Sequence, residues 1–171
     1  MGTRITLLAL GDATEALALR AVLESMHHTV DLVRIGAPAD VAPALRAASV
    51  GPVTMISAHG GPRGFYMGRF GDDIDTSIMA GDWLPVTAAF DGVTFGDDAV
   101  LFCTACGTRE NGLVQVLLNA GGHLIAPDGY PDGGIVVPWI GACLSGAENG
   151  LAHAVKSANA LVAPHNRFSY G

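Results

Sequence analysis

Short runs of apolar and β-branched residues alternate along this chain with segments in which apolar residues recur at helical spacing. Runs of this kind, bounded by glycine or proline, indicate buried strands. Strands are expected at residues 4–10, 30–35, 53–57, 100–102 and 123–126. Helices are expected at residues 13–26, 38–48, 83–90, 112–120 and, as one long apolar segment, 137–162. This alternation favours an α/β fold with a mainly parallel sheet of about five to six strands flanked by helices, forming a single domain over residues 1–171.

Residues 61–82 interrupt the alternation. They are rich in glycine and aspartate and show neither helical nor strand periodicity. We interpret them as a long loop, or as a small hairpin around residues 65–70. Long loops inside compact domains are usually functional or mobile, so we expect this segment to lie near a binding site.

Composition excludes several classes of protein. Half of the 171 residues are hydrophobic and 15% are charged, which predicts a folded chain with a substantial core. The net charge of −7, with scattered Lys and Arg, argues against nucleic-acid binding. No apolar run approaches the roughly 20 residues of a membrane span, and the N-terminus lacks a signal-peptide pattern. Three cysteines argue against a disulfide framework, so we expect a cytoplasmic protein.

Two of the predicted strands lead into chemically reactive residues. The run 53–57 is followed by His59 and Gly60, and the run 100–102 is followed by Cys103 and, three residues later, Cys106. Strand ends of the same polarity meet at one edge of a parallel sheet. A thiol and an imidazole at that edge would suit a cysteine nucleophile with a histidine base.

Other interpretations of the cysteines exist. Cys103 and Cys106 form a Cys-x-x-Cys pair, which in an α/β protein can be a redox pair or half of a zinc site. A second Cys-x-x-Cys is absent from the sequence, and we interpret Cys103 and Cys143 as core residues. An amidotransferase-like site pairing Cys106 with the later His153 would need glycine two residues before the nucleophile, where Thr104 stands.

The order His59-Gly60 and then Ala105-Cys106, each after a buried strand, resembles the caspase-like (clan CD) cysteine peptidases, and most closely the bacterial CHAT domains. The likeness extends to flanking segments at 84–98, 117–129 and 149–155 and covers about residues 50–160. Arg109 departs from the pattern, because CHAT domains usually have glycine at that position.

The resemblance implies a three-layer caspase-like fold and a cysteine endopeptidase. By this likeness Cys106 is the nucleophile and His59 is the general acid and base. The backbone N–H groups of Gly60 and Cys106 would form the oxyanion hole. Because Cys106 precedes a predicted helical segment and has an imidazole partner, its pKa is expected to be lowered. No cofactor and no metal ion are expected.

Caspase-like enzymes select the residue before the cleaved bond (P1) through a charged pocket. The available carboxylates are Asp72, Asp73, Asp75 and Asp128, so we expect a basic P1 residue. The expected partner is a peptide or protein substrate, together with a partner subunit or a second copy that orders the loop, and neither nucleic acid nor membrane. The alternatives are a catalytically silent caspase-like binding or scaffold module, and a thiol redox or amidase protein that uses Cys103 and Cys106.

Overall fold

A six-stranded sheet forms the centre of the computed structural model, which describes residues 2–171. In chain order the strands are β1 (Arg4–Leu10), β2 (Thr29–Ile35), β3 (Val53–Ser57), β4 (His59–Gly61), β5 (Gly64–Tyr66), β6 (Trp83–Leu84), β7 (Val100–Cys103), β8 (His123–Pro127) and β9 (Phe168–Tyr170). The large sheet has the order β2-β1-β3-β7-β8-β9, in which only β9 is antiparallel to its neighbour. Strands β4, β5 and β6 form a separate small antiparallel sheet.

Six α-helices cover the large sheet on both faces. They are α1 (Thr14–Ser25), α2 (Val41–Ala48), α3 (Val86–Ala89), α4 (Leu113–Ala120), α5 (Val136–Ser145) and α6 (Leu151–Asn159). Among residues 2–171, none of them has the length and apolar character needed to cross a membrane.

Two apolar clusters, one on each face of the sheet, make up the core. Alternate residues of a strand point to opposite faces, so Leu8 and Ile56 join one cluster while Leu7 and Met55 join the other. The first cluster packs beneath α2, α3 and α4, and the second packs beneath α1, α5 and α6. The α/β architecture with a mainly parallel sheet is therefore as predicted.

The structure also differs from the predictions in three places. The expected long helix at 137–162 is two helices, α5 and α6, because the chain turns between Gly146 and Gly150, where Gly150 has a φ of 92°. The hairpin expected around residues 65–70 lies earlier, at 59–66. Strand β9 was not predicted; it is held at the sheet edge by backbone pairing with β8.

Trp139 on α5 is the largest fully buried side chain, with 1% of its surface exposed. Its ring stacks on Phe168 at a centroid distance of 4.0 Å, and its Nε1 donates to Asn159 Oδ1 at 3.0 Å. We expect Trp139→Ala to lower the free energy of unfolding by about 3–5 kcal/mol, because it leaves a cavity in the core and removes the ring stacked on Phe168. Urea denaturation would measure this. Leu161→Ala, at an exposed position, should change it by less than about 0.5 kcal/mol, and equal effects would contradict the assignment of the core.

Candidate active site

His59 and Cys106 occupy equivalent positions beyond two neighbouring parallel strands. In the β3–β7 ladder Ile56 lies opposite Cys103, and the Thr104 N–H extends the ladder by donating to the Ile56 carbonyl at 2.9 Å. His59 and Cys106 each follow three residues after this matched pair. The sheet therefore brings the predicted histidine and cysteine to the same edge.

His59 begins β4 and has an exposed side chain. It lines a cleft of about 760 Å³ together with Asp12, Arg34, Tyr66 and others. Hydrogen bonds from the backbone N–H and the hydroxyl of Thr14, at 2.9 and 2.7 Å, lower the pKa of Asp12, and the charge of His59 lowers it further. This side of the site thus combines an imidazole with a carboxylate that stays ionised to low pH.

Cys106 is half-buried in the turn that follows β7. Burial raises the pKa of its thiol, the nearby charge of Glu15 raises it further, and the N–H of Cys106 itself opposes the shift. The predicted lowering of this pKa is therefore wrong. Residues between Cys106 and Leu113 form turns, so the N-terminus of α4 comes too late in the chain to stabilise a thiolate at Cys106.

The backbones around His59 and Cys106 are in close contact. A Cβ atom added to Gly60 would lie 2.5 Å from the Cys106 carbonyl oxygen and 2.7 Å from the Ala105 Cβ. Within residues 2–171 no hydrogen bond joins the His59 ring to the Cys106 sulfur. The segment of His59 and the segment of Cys106 are therefore packed together through their main chains.

The two expected oxyanion donors lie next to each other. The Cys106 N–H donates to no oxygen of the described residues. In the β4–β5 hairpin, Gly61 and Gly64 form the closing pair, so the next pair, Gly60 and Phe65, is of the type without hydrogen bonds. The Gly60 N–H consequently faces away from β5. Both N–H groups can donate hydrogen bonds to a developing oxyanion, as an oxyanion hole requires.

Glu15, on the first turn of α1, belongs to this site and was missed as a functional residue. Its Oε1 accepts hydrogen bonds from Ser57 Oγ at 2.8 Å and from Thr104 Oγ1 at 2.6 Å. Ser57 stands two residues before His59, and Thr104 stands two residues before Cys106. Asp12 and Glu15 have the spacing of a helix-capping pair, but only Asp12 bonds to the start of α1. The feature of the sequence that could have pointed to Glu15 is the pair of hydroxyl residues, Ser57 and Thr104, each two residues before a predicted site residue.

Hydrogen bonds hold the loop after β8 against the loop that contains Cys106. The Gly107 N–H donates to the Gly129 carbonyl at 3.2 Å, and Thr108 Oγ1 donates to the Pro127 carbonyl at 3.1 Å. The exposed Tyr130 donates its hydroxyl to Glu110 at 3.0 Å. The Tyr130 hydroxyl lies 3.0 Å from where a Cβ of Gly107 would stand, so this ring forms a wall beside Cys106.

The four aspartates predicted to bind substrate are not among the residues that line the His59 cleft. Asp128 follows β8 as expected, but it is paired with Arg109 at 3.0 Å and accepts a hydrogen bond from Ser169. Asp75 accepts a hydrogen bond from the Ser77 N–H at 2.9 Å within its own loop. Asp72 and Asp73 are exposed in the same loop.

The remaining two cysteines are core residues, as predicted. Burial raises the pKa of Cys103 and of Cys143 to about 12. All three cysteines are free thiols. His153 is on α6, which packs against α5 and β9. Within residues 2–171, no three His, Cys, Asp or Glu side chains converge as a metal site would require.

No protein-family model matches this chain, and a search of curated proteins finds no match either. An apolar cavity of about 390 Å³ also exists, between α4 and the β8–β9 edge, and neither His59 nor Cys106 lines it.

Proposed function

We propose that this chain is a cysteine endopeptidase with a caspase-like fold and a His59–Cys106 dyad. The observation that carries the proposal is the matched position of the two residues beyond β3 and β7. The six-stranded, mainly parallel sheet with helices on both faces is compatible with that fold. The adjacent backbone N–H groups of Gly60 and Cys106 add support, because acyl transfer needs such donors.

In the proposed reaction the Cys106 sulfur attacks the carbonyl carbon of the scissile peptide bond. The thiol proton passes to His59, and the oxyanion that forms accepts hydrogen bonds from the N–H groups of Gly60 and Cys106. His59 then gives its proton to the leaving amine, and the C–N bond breaks to leave a thioester. Water, deprotonated by His59, hydrolyses the thioester and regenerates the thiol.

Two observations favour a second candidate, a caspase-like module that binds peptides without cutting them. The pKa of Cys106 is raised rather than lowered, and within residues 2–171 His59 donates no hydrogen bond to its sulfur. A redox role is less favoured, because burial raises the pKa of Cys103 to about 12, which suppresses the thiolate that exchange chemistry needs.

Alkylation by iodoacetamide separates these functions. A peptidase should be labelled selectively at Cys106, and His59→Ala should slow the labelling, because the imidazole takes the thiol proton. Labelling that is slow and insensitive to His59→Ala would favour the silent module. A reversible disulfide between Cys103 and Cys106, seen by mass spectrometry under mild oxidation, would favour the redox protein.

Cleavage of fluorogenic peptides tests the activity itself. Peptides with Arg, Lys, Asp or Asn at P1, and otherwise identical, should be cut after Arg and Lys, since the carboxylates nearest the site are Asp12 and Glu15. Cleavage only after Asp would contradict the basic preference. Absence of cleavage in every peptide, with the protein folded, would contradict the peptidase proposal.

A further inference from the structure

Glu15 links the ends of the two strands that lead to His59 and Cys106. Building on the proposed peptidase function, we infer that its carboxylate receives the cationic side chain of a substrate Arg or Lys. We further infer that this ion pair converts Cys106 from a resting thiol into a nucleophile. Glu15 would then determine specificity and also couple recognition of the substrate to reactivity.

Only one oxygen of Glu15 is used by the protein. Oε1 accepts the hydrogen bonds from Ser57 and Thr104, while Oε2 has no hydrogen-bond partner in residues 2–171. In the same range, Asn111 Nδ2 is the buried side-chain polar atom that has no partner, and Glu15 Oε2 does not share that state. Because Glu15 Oε2 has no partner and is not fully buried, it is in contact with solvent. A half-buried carboxylate with one fixed and one open oxygen is well placed to bind a guanidinium or ammonium group.

Glu15 also lacks a cation among the described residues. Five carboxylates form ion pairs in this range, namely Asp31, Glu24, Asp82, Asp128 and Asp132. Each of these five has an exposed side chain. Glu15 is less exposed than they are, yet none of the nine Lys and Arg residues pairs with it. Its charge is therefore available to a ligand.

The charge of Glu15 acts on Cys106. Burial is the first cause that raises the pKa of the thiol, and Glu15 is the charged group that adds to it. Other titratable neighbours are the neutral thiol of Cys103, the Tyr130 hydroxyl bound to Glu110, and His59. On the His59 side, Asp12 and Arg34 line the cleft. Arg109, in the Cys106 loop, is already paired with Asp128.

A cation bound to Glu15 would remove the part that the Glu15 charge plays in raising the pKa of Cys106, while the effect of burial would remain. Two negative charges in one partly buried site disfavour each other, so a lone Glu15 favours the protonated sulfur. Pairing Glu15 with a substrate guanidinium cancels its charge, and the Cys106 proton can then pass to His59. Nothing is oxidised or reduced, and the only bond change in this step is the transfer of that proton.

The test is the pH dependence of Cys106 alkylation by iodoacetamide, with and without Nα-acetyl-arginine amide. Nα-acetyl-citrulline amide, which has nearly the same shape and no charge, is the control compound. We expect the arginine compound to shift the alkylation profile to lower pH and the citrulline compound to leave it unchanged. The midpoint of the profile is the readout, because a ligand that only shields the sulfur slows labelling without moving the midpoint.

The same alkylation experiment on two variants tests the role of the Glu15 charge. In Glu15→Gln the amide oxygen can still accept from Ser57 and Thr104, but the charge is gone. Its profile should lie at lower pH without any compound and should not respond to the arginine compound. Glu24→Gln, at the other end of α1, is the matched control and should behave as the unsubstituted protein. Thermal unfolding checks that both variants are folded.

The outcomes separate the two proposals. An unmoved midpoint, an equal response to both compounds, or a response retained in Glu15→Gln would overturn the role of Glu15. If Glu15→Gln cuts arginine peptides as selectively as the unsubstituted protein does, that role also fails while the peptidase function stands. If the midpoint moves as expected but no peptide is cut, the coupling stands and the peptidase function fails.

Discussion

Replacing Cys106 with alanine is expected to reduce kcat/KM for arginine peptides by at least about three orders of magnitude, because no other group can form the thioester. The side chain is small and half-buried, so the free energy of unfolding should change little. Initial rates with a fluorogenic peptide, together with urea denaturation of the same preparation, measure both effects.

Cys103→Ala is the matched control for this experiment. It removes a thiol three residues earlier, from a fully buried position at the end of β7. We expect it to lower stability by about 1 kcal/mol while keeping most of the activity, because it removes core volume and no reacting group. Activity that survives in Cys106→Ala, or that disappears only in Cys103→Ala, would place the chemistry elsewhere.

Gly60→Ala is expected to have the second largest effect on activity. The added Cβ would stand 2.5 Å from the Cys106 carbonyl oxygen and 2.7 Å from the Ala105 Cβ, closer than such atoms can approach. The backbone must move at the point where the two oxyanion donors adjoin. We expect kcat to fall about 100- to 1,000-fold, the usual cost of a misplaced oxyanion donor, and stability to fall by about 1–3 kcal/mol from overpacking.

The control for this substitution is Gly96→Ala. Gly96 precedes β7, at the opposite edge of the sheet from His59, and an added Cβ would meet no atom within 4 Å. Both variants should be compared by kcat, KM and urea denaturation. If Gly60→Ala is as active as Gly96→Ala, the Gly60 N–H does not contribute to the reaction.

The strands that carry the site could be predicted because their signal is local. Residues 53–57 and 100–103 are short, apolar and rich in branched side chains, which is typical of buried parallel strands. That both strands end at one edge followed from the rule that strand ends of the same polarity meet at one edge of a parallel sheet. The exact match of Ile56 with Cys103 did not follow, since register depends on the packing of the whole sheet.

Strand β9 and the break between α5 and α6 could not be predicted in the same way. β9 has only three residues, and its conformation is fixed by pairing with β8 rather than by its own composition. The region 135–162 is apolar enough to suggest one helix, but Gly146 and Gly150 allow the chain to turn back so that α6 packs against α5.

The part of the site predicted least well is its electrostatics. Glu15 has the spacing of a capping residue, and only the folded chain brings it to the Ser57 and Thr104 hydroxyls. The pKa of Cys106 was predicted to fall because a helix was expected to begin near it. In the structure, six turn residues separate Cys106 from α4, and the Glu15 carboxylate lies nearby. Both features depend on how the chain folds in three dimensions, so they could not be predicted from local sequence.

The contrast among the three sulfur atoms has a practical use. Cys103 and Cys143 are sealed in the interior, and near pH 7 their pKa of about 12 keeps them protonated. A maleimide dye or a fluorinated tag added to the unaltered protein should therefore attach at a single position, Cys106. Such a reporter would follow the arrival of ligands at the sheet edge without any cysteine having to be engineered out.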